Sequence, residues 1–147
     1  MQYDADEQPD PDVWLELDET ERLELVIEYH RRSGVQLEAP EPHAIAHVVV
    51  ENQIALGEAT PVPGTLGRLM DEGLDRHDAV HAIGSVLMKI VFDAAHERND
   101  GGDINAKYNR ELATLTAAGW RTRPKPPPRP RPPPWRAAPR AANAPRR

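Results

Sequence analysis

The sequence predicts an all-α protein, a small bundle of about five helices. No stretch alternates apolar and polar residues as a half-buried strand does. Two stretches, 42–56 and 75–97, repeat apolar residues at helical spacing. Residues suited to starting helices stand before the periodic runs, and glycines stand after them.

Residues 1–12, MQYDADEQPDPD, are acidic and show no periodicity, so they read as a flexible arm. Val13-Trp14-Leu15 reads as an anchor docking onto the body. Asp18-Glu19-Thr20-Glu21 is a D-x-x-E helix start. Leu23, Val26, Ile27 and His30 then share one side of a helix that ends near Ser33-Gly34. Arg31 and Arg32 suit the negative end of that helix, and His30 beside them is expected at the surface.

The second helix begins at Glu41-Pro42, with proline in the first turn, and stops at Gly57. Ile45, Val48, Val49, Val50, Ile54 and Leu56 make it apolar nearly all round, the pattern of a buried helix. The stretch 57–64, GEATPVPG, is a proline-containing loop, and 65–73 forms a short helix. The long helix 75–97 has Asp75 as its N-cap and Asp78 three residues on. Asn99-Asp100-Gly101-Gly102 breaks it. Asp103 caps a last helix, 104–118, closed by Gly119, with Trp120 folding back. The domain therefore spans 13–120.

Residues 121–147 hold 10 of the 16 prolines and can build no core. They are expected to be disordered, largely polyproline II, with P-x-x-P spacings beside arginine. Charge divides the chain at the same point. Residues 1–120 carry all 24 acids and nine of the 18 Lys and Arg, net −15. Residues 121–147 carry the other nine and no acid, net +9. The body thus repels nucleic acid, while the tail suits a protein groove or a polyanion such as RNA. There is no cysteine, so disulfides and thiolate metal sites are excluded. No apolar run is long enough to span a membrane and no signal peptide precedes the body, so a cytoplasmic protein is expected.

Chemistry is concentrated in the histidines. Four of the six form two i, i+4 pairs, His43 with His47 and His77 with His81, and Glu51 lies one turn beyond the first pair. Residues four apart share a helix face. Packing the two helices together brings up to four imidazoles and one carboxylate to one place. Neutral imidazole suits zinc, iron, nickel or copper, and zinc or iron is the first expectation. Glu51 has a second reading, as a buried carboxylate paired with Arg76 or with a protonated histidine. His96, at a helix C-terminus, reads as structural.

His77-Asp78-Ala79-Val80-His81 resembles the H-E-x-x-H signature of zinc metalloproteases, but with Asp in place of the catalytic Glu. The Asp is accounted for by capping, and no third-ligand motif follows. No reaction is identified.

One further resemblance involves the same residues. His43-x3-His47-x3-Glu51-Asn52-Gln53-Ile54-Ala55, followed by Arg76-His77-Asp78-Ala79-Val80-His81-Ala82-Ile83-Gly84, resembles a family of small bacterial helical proteins described only as a conserved domain of unknown function. Its pattern is of the type R-H-E-A-x-H-A-I-G, preceded by a histidine-bearing helix ending E-x-Q-[IL]-A. The likeness covers about residues 41–95. It implies that the histidines belong to a recurring design and brings no activity with it. Two functions follow from the sequence. One is a protein that binds a transition metal through His43, His47, His77 and His81 with Glu51. The other is a non-enzymatic interaction module with an acidic bundle and a basic tail for different partners.

Overall fold

Caps written into the sequence set most of the helix starts. In the computed structural model, which describes residues 1–96 and 101–124, seven α-helices form an all-α bundle, and no strand occurs among the described residues. They are α1 (Pro11–Glu16), α2 (Glu19–Arg32), α3 (Pro40–Ala55), α4 (Val62–Asp71), α5 (Arg76–Ala95), α6 (Ile104–Thr114) and α7 (Ala117–Thr122), with one 3-10 turn at Gly57–Ala59. Asp18 caps α2 in a reciprocal box with Glu21, each satisfying an amide the helix leaves open. Asp75 accepts from the Asp78 amide at 2.7 Å, and Asp103 accepts from the Asn105 amide.

α3 is the central element and belongs to two apolar clusters. Val50 and Ile54 join a cluster with Val62, Leu66 and Leu69 of α4, Val80, Ile83 and Ile90 of α5, and Leu112 and Trp120 beyond. Ala44 and Val48 join the other, with Tyr3, Ala5, Trp14 and Val26. Where α3 crosses α5, a Cβ on Gly84 would lie 3.6 Å from Ala46 Cβ. The small pair Ala46 and Gly84 therefore lets the two histidine-bearing helices run close together. α3 is not covered all round: Ile45 is about half exposed, as is Leu56 just past the helix end.

The first residues are not a free arm. Tyr3 and Ala5 are 1% and 0% exposed. The Trp14 anchor is fully buried within α1, and its indole N–H donates to Asn52 Oδ1 at 2.8 Å. Short acidic stretches without periodicity look disordered in sequence. Here two apolar residues among the acids find pockets in the body.

The C-terminal end also differs from expectation. Leu115 adopts extended backbone and ends α6, and Thr116 then caps a separate helix, α7. α7 runs through Thr122, so Arg121 and Thr122 are part of a helix. Arg121 reaches back to the Gly73 carbonyl at 2.7 Å. Gly73 itself has φ 104°, a left-handed conformation that lets α4 turn into α5. The expectation of a disordered tail falls, from residue 125 on, outside the described residues. No helix among the described residues is long and apolar enough to cross a membrane.

Candidate metal centre

Three helices bring histidines to one place. α3 supplies His43 and His47, α5 supplies His77 and His81, and α2 supplies His30 from its last turn. One ring nitrogen from each of His30, His47, His77 and His81 falls within a group no wider than 4.8 Å. His43 lies against this group, with its Nε2 3.1 Å from His30 Nε2 and 3.1 Å from His81 Nε2. Five of the six histidines thus meet, and His96 does not. It sits at the end of α5, its Nδ1 2.9 Å from the Phe92 carbonyl.

His30 corrects the sequence reading, which placed it at the surface. It is 3% exposed. The signal was present in the spacing, because His30 follows Val26 by one turn on the apolar stripe of α2. The flanking Arg31 and Arg32 obscured it.

The hydrogen bonds around two of the rings assign their tautomers. His30 Nδ1 lies 2.8 Å from the Val26 carbonyl, which can only accept, so Nδ1 carries the proton and Nε2 keeps its lone pair. Tyr3 donates its hydroxyl proton to Glu51 Oε1 at 2.7 Å. Its oxygen, 3.3 Å from His47 Nδ1, is then the acceptor of that N–H, and His47 Nε2 is left bare. The Nε2 atoms of His47 and His77 are buried and have no hydrogen-bond partner. Such orphans are uncommon in folded proteins and call for an explanation.

The chain from His30 through His43 to His81 has the same shortage. With His30 Nε2 bare, His43 can donate to it from Nε2. The same nitrogen then has no lone pair for His81, so one proton cannot serve both 3.1 Å contacts. Added protons are disfavoured as well. Burial first, and neighbouring imidazoles second, push His43 down to about 4 and His81 to about 3. Burial likewise lowers His30, and it lowers His47 far more. These four rings are held as neutral lone-pair donors, the form in which imidazole binds metals.

Glu51 faces the back of this cluster. Its two oxygens take a bidentate pair of bonds from Arg76, both 2.8 Å, and its Oε1 also accepts from Tyr3. Both side chains are almost wholly buried, at 1% for Glu51 and 5% for Arg76. The second bond of Arg76 Nη1 goes to the Ala5 carbonyl, 2.8 Å away. The structure therefore places Glu51 with Arg76, the second of the two sequence readings, and one residue removed from the imidazoles. Arg76, Glu51, Tyr3 and His47 form one relay. Burial raises the Tyr3 hydroxyl well above the usual tyrosine range, with Glu51 adding to it, so Tyr3 remains a donor.

The neighbours of Glu51 are also engaged. Asn52 accepts from Trp14 and Arg22, and Gln53 accepts from the Tyr108 hydroxyl at 2.9 Å. Asp78 is exposed and its amide serves the cap, so the stretch that resembles H-E-x-x-H offers no base to the cluster.

No protein-family model matches the chain, and neither a curated protein nor a solved structure shows detectable similarity to it.

Proposed function

We propose that this chain binds a divalent transition metal, zinc first and ferrous iron second, through His30, His47, His77 and His81, with His43 beside them. The observation that carries the reading is the convergence of four imidazole nitrogens within 4.8 Å. Orphaned Nε2 atoms on His47 and His77 support it, since a cation accepts several lone pairs at once where a proton serves one. Bonds of about 2.0–2.1 Å to zinc set nitrogens roughly 3.4 Å apart in a tetrahedron, so loading draws the rings together. Metal ligands of this type usually hand their other N–H to a carbonyl or carboxylate. His30 follows that rule on the Val26 carbonyl, and His47 reaches the Glu51 carboxylate through the Tyr3 hydroxyl.

Elemental analysis of protein stripped with a chelator and reloaded with zinc should give about one ion per chain. Zinc should also raise the melting temperature, because it binds the native state alone. His47→Ala and His81→Ala should remove most of the binding, and His30→Ala should weaken it strongly. His96→Ala should leave it unchanged. Zinc retained undiminished in His47→Ala and His81→Ala would show that the ion sits elsewhere.

Tyr3 should matter without touching the metal. Tyr3→Phe keeps the ring in its pocket and removes the acceptor of the His47 N–H. Affinity should fall about 10–100-fold, the usual effect of losing such a partner. A zinc titration of the variant against a competing chromophoric chelator reads this directly. An unchanged dissociation constant would mean that the relay does not orient His47.

A further inference from the structure

A divalent ion held by imidazoles keeps its full charge, because neutral imidazole brings no anion. The buried carboxylate behind the cluster does not compensate it. Glu51 is matched at 2.8 Å by Arg76, and the pair adds no net charge. A partly buried charge without a counter-charge is costly. An ion so placed draws in an anionic oxygen ligand or acidifies a bound water.

The structure supplies a way in. A cleft of about 450 Å³ is lined by His43, His47 and His81, three of the five clustered rings. That volume is ordinary for a small-molecule site, about 300–1,000 Å³. Val80, Leu37 and Trp120 give it apolar walls. Arg123 lines it as well. Its guanidinium carbon sits 3.0 Å from the centre of the Trp120 ring, and its Nη1 donates to the Trp120 carbonyl at 2.7 Å. An anion entering here passes three of the clustered rings and a guanidinium, while apolar walls receive the rest of the molecule.

We infer that this cleft binds a small carboxylate with an apolar body, its oxygen adding a fifth ligand to the four imidazoles and its body lying against Val80 and Trp120. The inference rests on the metal reading above and adds a ligand class to it. Guanidinium fits a planar carboxylate through two parallel bonds, and apolar walls reward a ligand that is more than a bare anion. Glu38, which also lines the cleft, is the chain's own alternative source of a carboxylate.

The test uses the full chain loaded with cobalt(II), whose visible spectrum reports its ligands. Benzoate should shift the spectrum and bind roughly tenfold more tightly than acetate, about 1.4 kcal/mol. Benzamide, uncharged, and inorganic phosphate, charged without an apolar body, should leave the spectrum nearly unchanged. Arg123→Gln should weaken benzoate about tenfold, while Ser85→Trp at the cleft wall should block it. Both variants should keep their cobalt. If the chain takes up no cobalt, the metal reading falls and this inference with it. Cobalt bound with a spectrum indifferent to benzoate, or equally responsive to benzamide, acetate or phosphate, overturns the cleft alone. Benzoate binding that appears only in Glu38→Gln assigns the anion to Glu38 and overturns the cleft ligand too.

Discussion

Lowering the pH of the metal-free protein from 7 to 5 should cost it about 4 kcal/mol of stability. Unfolded histidine titrates near 6.5, whereas burial holds His81 at about 3 and depresses His47 further. A base with a depressed folded pKa binds fewer protons folded than unfolded. Its contribution is therefore complete above about pH 6.5 and is lost as pH falls towards the folded value. Each pH unit below 6.5 costs about 1.4 kcal/mol per such group, so pH 5 costs roughly 2 kcal/mol for each of the two. His43 moves in the same direction, to about 4, with solvent weakening its share because it is only half-buried. Unperturbed carboxylates titrate near 4, below this window. Melting of chelator-treated protein at half-unit pH steps measures the slope, and a fall of more than about 10 °C is expected. His96→Ala should follow the same curve, and His47→Asn with His81→Asn should flatten it. A melting temperature constant between pH 7 and 5 would mean that the imidazoles are not buried neutral.

Arg76→Ala should be the most damaging single substitution away from the apolar core, at about 3–5 kcal/mol. It strands Glu51, 1% exposed, without its counter-charge. It also removes the donor to the Ala5 carbonyl, which helps hold the first residues in place. Arg76→Lys keeps the charge but not the fork and should fall between the two. The pair Glu51→Leu with Arg76→Leu should recover much of the loss, since an uncharged pair needs no desolvation to be repaid. Urea denaturation with chelator present gives these numbers free of any metal contribution. A cost below about 1 kcal/mol for Arg76→Ala would mean that Glu51 escapes to water and that the relay to Tyr3 and His47 is loose.

Much of the fold was legible because local chemistry and tertiary structure agree. Asp18, Asp75 and Asp103 cap the helices they precede, and the i, i+4 histidine pairs of α3 and α5 do face each other. The bundle was visible in periodicity alone. What escaped depends on contacts between distant parts of the chain. Tyr3 is one aromatic residue among acids, and nothing near it in sequence says that its hydroxyl ends between Glu51 and His47. His30 was read by its arginine neighbours rather than by its place on the stripe, because a helix C-terminus suits a cation as well as a buried ring. The break at Leu115 was hidden by a good helix-forming run on both sides, with Thr116 the one residue that marks a new cap.

The span of these contacts sets an order of events during synthesis. Arg76 holds the Ala5 carbonyl across 71 residues, and Tyr3 reaches Glu51 across 48. A ribosome adding about 5–20 residues per second takes roughly 4–14 s to make the first of those intervals. For that time the Ala5 carbonyl lacks its guanidinium, and α2 and α3 exist without the helix that completes the histidine group. Neither the Arg76 bond to the Ala5 carbonyl nor the full set of imidazoles can form until α5 has left the exit tunnel. The centre is therefore completed late, once α5 docks, and ions met earlier find only the two histidines of α3 and the single one of α2.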